Sequence, residues 1–182
     1  MGSYYYVVAS LPMLFYDTEA ALLSPGDFLL FCSAWIPVKE FNLLKNASIQ
    51  DVRGDETSNS VVTRWNLWER TLRNELVSLR AQQKKTDLFE DIVPGEKVLG
   101  LANIAREAFS QPSPLTGEDM LNRSRWNFLE ELETGHHFDI EKLIIYYLKL
   151  QLLQRKDFFN KERGRANYNE IFAYITADSN GS

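Results

Sequence analysis

Between residues 61 and 79 the apolar side chains Val61, Trp65, Trp68, Leu72, Leu76 and Leu79 recur at steps of four, three, four, four and three. That spacing returns each of them to one side of a helix, so the stretch predicts an amphipathic helix about 31 Å long whose stripe must be buried against other elements. A one-sided helix of this length constrains the rest of the chain, which has to supply a matching apolar surface.

The remaining sequence offers that surface mainly as further helices. In "SPGDFLLFC" Ser24 can cap, Pro25 suits the first helical position and Asp27 places a negative charge at the helix N-terminus, which predicts a helix over about 25–35. Pro37 interrupts it, and "PVKEFNLLKN" reads as a second short helix. Residues 51–60, "DVRGDETSNS", have almost nothing to bury and read as an exposed loop before the long helix. "PGEKVLGLANIAREAF" predicts another helix, and Thr116 with Glu118 and Asp119 begins the next. Gly135 stops that one, Asp139 caps a central helix over 140–158, and a short helix around "YNEIFAYI" precedes a polar, frayed end. The opening "YYYVVASLP" is apolar in both parities, so residues 4–10 fit either a strand or a helix. Strands do not alternate with helices, so the fold expected is an all-α layered bundle in one domain spanning 1–182. With 45% hydrophobic residues in 182, such a domain can bury a sizeable core.

"RWNLWE" at 64–69 is repeated as "RWNFLE" at 125–130, and "PGDFLL" at 25–30 has a counterpart in "PGEKVL" at 94–99. These pairs suggest two related helical units, 24–86 and 93–134. Trp65, Trp68, Trp126 and Leu129 are then equivalent core anchors, since they lie on the apolar faces of their helices.

Function classes are narrowed by charge and by missing motifs. A formal net charge of -5 argues against bulk attraction to nucleic acid or anionic lipid. The opening residues lack a basic, long-apolar secretory signal, and no apolar run reaches the roughly 18 residues of a membrane span, so a cytoplasmic chain without direct membrane insertion is expected. Cys32 has no second cysteine to pair with and reads as a buried, inert thiol. No phosphate-binding loop, dinucleotide fingerprint, HExxH or GxSxG motif occurs. The expectation is a non-enzyme with no catalytic residues and no cofactor. His136 and His137, beside Glu133, Asp139 and Glu141, are the weak metal candidates, and the alternative they support is a small metal- or ligand-binding enzyme centred on that turn. Charge is segregated along the chain: 61–86 and 149–165 are each net +4, and 87–118 is net -4. Opposed segments of this kind either pair internally or face charged partners. Arg64, Arg70, Arg73, Arg80, Lys84 and Lys85 are the candidate partner-binding residues.

"YYYVVASLPML", "WERTLRNELVSLRAQQKK" and "LNRSRWNFLEELETGHHFDIEKLIIYYLKLQLLQR" together resemble an uncharacterised bacterial family encoded beside V-type (A/V-type) ATP synthase genes. That family is in turn similar to the C-type stalk component of these rotary enzymes, called the d-type component in eukaryotes. The resemblance covers nearly the whole chain. It implies a helical, non-catalytic component that binds stalk or rotor proteins of a proton- or sodium-translocating complex and lies at the inner membrane through that complex. The C-type component is a funnel of related helical units that couples the central stalk to the membrane rotor. It is much larger than 182 residues, so the resemblance accommodates a reduced form of it or an assembly protein. A self-associating scaffold is a further alternative.

Overall fold

The computed structural model describes residues 2–17, 23–50, 59–84 and 98–179, with backbone alone for residues 2, 3, 84 and 160–179. Those residues form seven helices and no strand: α1 (Gly2–Ser10), α2 (Pro25–Ser33), α3 (Val38–Asn46), α4 (Ser60–Lys84), α5 (Leu101–Phe109), α6 (Pro114–Glu133) and α7 (Ile140–Ser179). The fold is all-α.

Local chemistry explains most of the boundaries. Ser24 Oγ accepts from the Asp27 amide at 3.1 Å, and Pro25 opens α2 as expected. The start of α6 differs from expectation. Pro114 begins it, with Ser113 Oγ accepting from the Thr116 amide, because a proline missing an amide hydrogen costs nothing in a first turn. Gly135, at φ 91°, ends α6 in a backbone conformation that other residues adopt only under strain. Asp139 then caps α7, its Oδ1 accepting from the Lys142 amide at 2.8 Å.

Four further expectations change. The ambiguous segment 4–10 lies in α1. Asn59, inside the predicted exposed loop, is buried, and its side-chain oxygen accepts from the amides of Val61 and Val62, making it the cap of α4. Residues 51–58 of that loop lie outside the described residues. The helix predicted from Pro94 begins only at Leu101, after a turn at Leu99–Gly100, with residues 94–97 outside the described set. Val98 and Leu99 are therefore non-helical where their counterparts Leu29 and Leu30 are helical, and among the described residues the first proposed unit carries three helices against two in the second. The central helix does not stop near 158. It runs 40 residues, because one interior glycine, Gly164, costs only about 1 kcal/mol and no proline follows it.

α7 is the axis of the molecule. Leu143, Ile144, Ile145, Leu148, Leu150 and Leu152 are fully buried, on every side of the helix rather than one. Around it pack Val7 of α1, Phe28 and Cys32 of α2, Leu44 of α3, Val61 and Trp65 of α4, and Trp126 and Leu129 of α6. A second, smaller cluster joins Trp68, Leu72 and Leu76 of α4 to Leu101, Ala105 and Ala108 of α5 and to Leu121 of α6. The α4 stripe is thus divided between two cores, with Phe128 packed against both. Close approach of α6 to the end of α5 depends on Gly117, where an added Cβ would meet the Ala108 carbonyl oxygen at 2.5 Å.

Candidate functional site

A layer of charge joins α4 to α6 beside the two cores, which meet at the stacked rings of Trp65, Trp68 and Phe128. Glu69 on α4 is fully buried and Arg125 on α6 nearly so. Arg125 meets it with two parallel bonds, Nε to Oε2 at 2.9 Å and an Nη to Oε1 at 3.1 Å. Such a fork is the geometry in which guanidinium and carboxylate match best. Arg73, one turn beyond Glu69, adds a third bond at 2.9 Å. The other Nη of Arg125 donates to Asn122 Oδ1 at 2.9 Å and reaches Glu118 at 3.3 Å, and Glu118 also accepts from Arg155 of α7. Burial works against the charge of Arg125, but Glu69 and Glu118 outweigh it and raise its pKa. The pKa of Arg155 is lowered, first by burial, with Arg125 and Arg73 adding repulsion.

The aromatic anchors flank this layer. Trp65, Trp68 and Trp126 are 1%, 5% and 3% exposed and Leu129 is fully buried. Trp68 stacks on Phe128 with centroids 4.9 Å apart, and Trp65 donates its indole hydrogen to the Ser48 carbonyl at 3.2 Å.

The expected basic face of α4 does not form as one surface. Arg64 and Arg80 are exposed and Arg70 is half-buried, and none makes an ion pair among the described residues. At 100° per residue Arg64 and Arg80 lie roughly 160° apart around the helix. Arg73, only partly exposed, also serves as an internal clamp. Besides Glu69, it donates to the carbonyls of Ile49 and Gln50, both at 2.8 Å, and so ties the end of the α3 loop to α4. Only the backbone of Lys84 is described, and Lys85 lies outside the described residues. Arg155–Glu118 joins the basic C-terminal segment to the acidic middle one, so part of the segregated charge pairs internally.

Beside the charged layer a groove of about 660 Å³ opens between the 49–50 loop and α7, lined by Arg73, Arg155, Gln154, Phe158 and Phe159. No motif in the sequence signals it, because its residues come from separate helices.

At the histidine turn, His136 Nδ1 lies 2.8 Å from Asp139 Oδ2, and Glu141 brings a third donor atom to within 4.8 Å of both. His137 is exposed and is not part of this group. Asp139 is the cap of α7, and Glu141 accepts from the Asn59 side chain at 3.1 Å. Every member of the group thus has a helix-joining role. The positive end of the α7 dipole, at the same place, opposes a bound cation. Burial pushes the Cys32 thiol up to about 12, which keeps it protonated and unreactive.

One exposed surface escapes sequence reasoning. Tyr5 meets Phe138 in a tilted ring contact at 4.8 Å and its neighbour Tyr6 meets Trp35 likewise at 4.5 Å, with all four rings 45–60% exposed. The two tyrosines are adjacent on α1 but point about 100° apart, so the ring pairs form a broken aromatic strip on neighbouring sides of the helix. The triple tyrosine is conspicuous in the sequence, but pairing it with Trp35 and Phe138 requires the tertiary fold.

Comparison with known proteins adds one match. Residues 93–179, just under half of the chain, match the model of a family described as a protein of unknown function (DUF2764). No curated protein and no solved structure matches the chain. Among the described residues, no helix is long and apolar enough to cross a membrane.

Proposed function

We propose that the chain is a non-catalytic helical component of a V-type ATP synthase, either a reduced stalk component or an assembly protein, that works by docking. The observation that carries the docking role is the exposed strip Phe138–Tyr5 and Tyr6–Trp35. Monomeric surfaces rarely leave large apolar patches in water, and four half-exposed rings gathered around α1, among them the Tyr and Trp that most often anchor protein interfaces, make such a patch. Arg64 and Arg70 supply exposed or half-buried cations elsewhere on the surface, where charge would steer encounter rather than set affinity. The identity of the partner rests on the sequence resemblance of the 68–85 and 121–155 runs, and the seven packed helices of the described residues suit a rigid connector.

The test is affinity purification of the tagged full chain from its native cells. Stalk or rotor proteins should co-purify, and the paired exchange Tyr6→Ser with Trp35→Ser should sharply reduce their recovery while leaving the helical circular dichroism unchanged. Repeated recovery without any rotor or stalk protein overturns the ATP synthase assignment. Light scattering that finds a stable oligomer abolished by the same pair would assign the strip to self-association instead.

A further inference from the structure

The charged layer beside the cores is unbalanced. Three guanidiniums (Arg73, Arg125 and Arg155) face two carboxylates (Glu69 and Glu118). Both glutamates are engaged in the interior: Glu69 is fully buried and Glu118 bridges Arg125 and Arg155. The excess positive charge is therefore displaced to the groove side, where Arg73 and Arg155 form part of the wall. Of the five N–H donors of a guanidinium, Arg73 uses three, on Glu69, Ile49 and Gln50, and keeps two. Arg155 uses one, on Glu118, so four are without a partner among the described residues. A half-buried arginine with most of its donors unused, flanked by Arg125 and Arg73 and only partly balanced by Glu118 and Glu69, is a site for an anion.

The rest of the wall narrows the class of anion. Gln154 is an exposed amide, and Phe158 is 58% exposed at the groove edge. Phe159 is already covered by Arg155, 5.6 Å from its ring centre, so Phe158 is the ring left open to a ligand. The groove's 660 Å³ falls inside the roughly 300–1,000 Å³ typical of small-molecule sites and far exceeds what one inorganic ion would fill. Donors diverging from two separate forks suit the tetrahedral oxygens of a phosphoryl group better than a planar carboxylate, which one fork satisfies alone.

We infer that this groove binds a small phosphorylated ligand, its phosphoryl group held between Arg73 and Arg155 and its apolar or aromatic part lying on Phe158. The site is independent of the aromatic strip on α1, so its fate and that of the docking role are separable.

Isothermal titration of the full chain at low salt, with inorganic phosphate, phenyl phosphate and benzoate as probes, tests the assignment. Phenyl phosphate should bind saturably and more tightly than either inorganic phosphate or benzoate. Arg155→Gln should weaken it by about tenfold, the loss expected when a hydrogen bond to a charged group is removed. Because Arg155 also holds Glu118, Phe158→Ala provides the second variant at an exposed position. It should remove the preference for phenyl phosphate while leaving inorganic phosphate binding unchanged. The inference is overturned by no saturable binding of any phosphate, by phenyl phosphate affinity unchanged in a folded Arg155→Gln variant, or by benzoate binding as tightly as phenyl phosphate.

Discussion

The two RWN helices share four residues in register and use them in opposite ways. In α4 the arginine of the motif, Arg64, is exposed and the glutamate, Glu69, is fully buried. In α6 the arginine, Arg125, is 4% exposed while the glutamate, Glu130, is on the surface, accepting from the Trp126 indole at 2.8 Å. The buried glutamate of one copy binds the buried arginine of the other. Helical geometry accounts for the exchange. At 100° per residue the buried arc of α6 is turned by roughly 70° relative to that of α4, which brings the arginine in and moves the glutamate out. The middle of the motif tolerates the rotation, because Trp65 and Trp126 lie within both arcs, as do Trp68 and its counterpart Leu129. A repeated pattern of letters can thus encode two complementary surfaces, and here the motif is joined to its copy by a salt bridge.

The most severe way to break that complementarity is Glu69→Ala. It leaves Arg125 buried without its fork partner and also frees Arg73, so a loss of about 3–5 kcal/mol is expected in urea unfolding. The matched change Glu130→Ala should cost no more than about 1 kcal/mol, since it removes one bond from a surface carboxylate. Equal losses for the two would show that the glutamates are equivalent after all. Replacing Glu69 and Arg125 together by Met and Leu should recover much of the stability, because apolar side chains of similar volume often substitute for a buried pair without loss.

A smaller effect is expected where α6 reaches the second core. Gly117→Ala would push a methyl group into the Ala108 carbonyl, and overpacking of this kind costs about 1–3 kcal/mol. Alanine exchange at the exposed Arg64 or Arg80 of α4 adds no atoms against a neighbour and should stay within about 0.5 kcal/mol. The caps compare the two helix starts more finely. Asn59→Ala removes two amide acceptors from α4 and should cost about 0.5–2 kcal/mol. Ser113→Ala at α6 should sit at the lower end of that range, because its one capping bond is longer, at 3.2 Å, and exposed. Amide hydrogen exchange in the first turn of each helix reads both.

Much of this architecture is legible in sequence. The 61–79 stripe, Ser24–Pro25, Gly135 and Asp139 each carry their physical cause within a few residues, and each acts where it is expected. Asn59 is hidden by its surroundings: a turn-forming run masks a capping residue whose side chain reaches Glu141, 82 positions away. Arg73 misleads for a related reason. Spacing identifies its pairing with Glu69 but cannot reveal the carbonyls of Ile49 and Gln50, which arrive from another element. The groove and the aromatic strip are invisible for the same cause, since each is assembled from helices far apart in the chain.

The weakest expected effect, and the most discriminating for α6, is a pH dependence. Glu133, at the end of the second RWN helix, accepts from both Lys142 and Lys149 of α7. Burial raises its pKa, but hydrogen bonds and charge from the two lysines outweigh this and hold it below the ordinary glutamate value. A carboxyl whose pKa is depressed in the folded state stabilises above the unfolded pKa, about 4.3, and that stability is lost as pH falls through the lower folded value. Wild type should therefore lose stability more steeply below pH of about 4.3 than Glu133→Gln, which has no proton to take up there. If Glu133→Gln follows the wild-type curve below that pH, the anchoring of α6 to the central helix through Glu133 contributes nothing specific to acid stability, and the asymmetry of the two helices ends at Glu69 and Arg125.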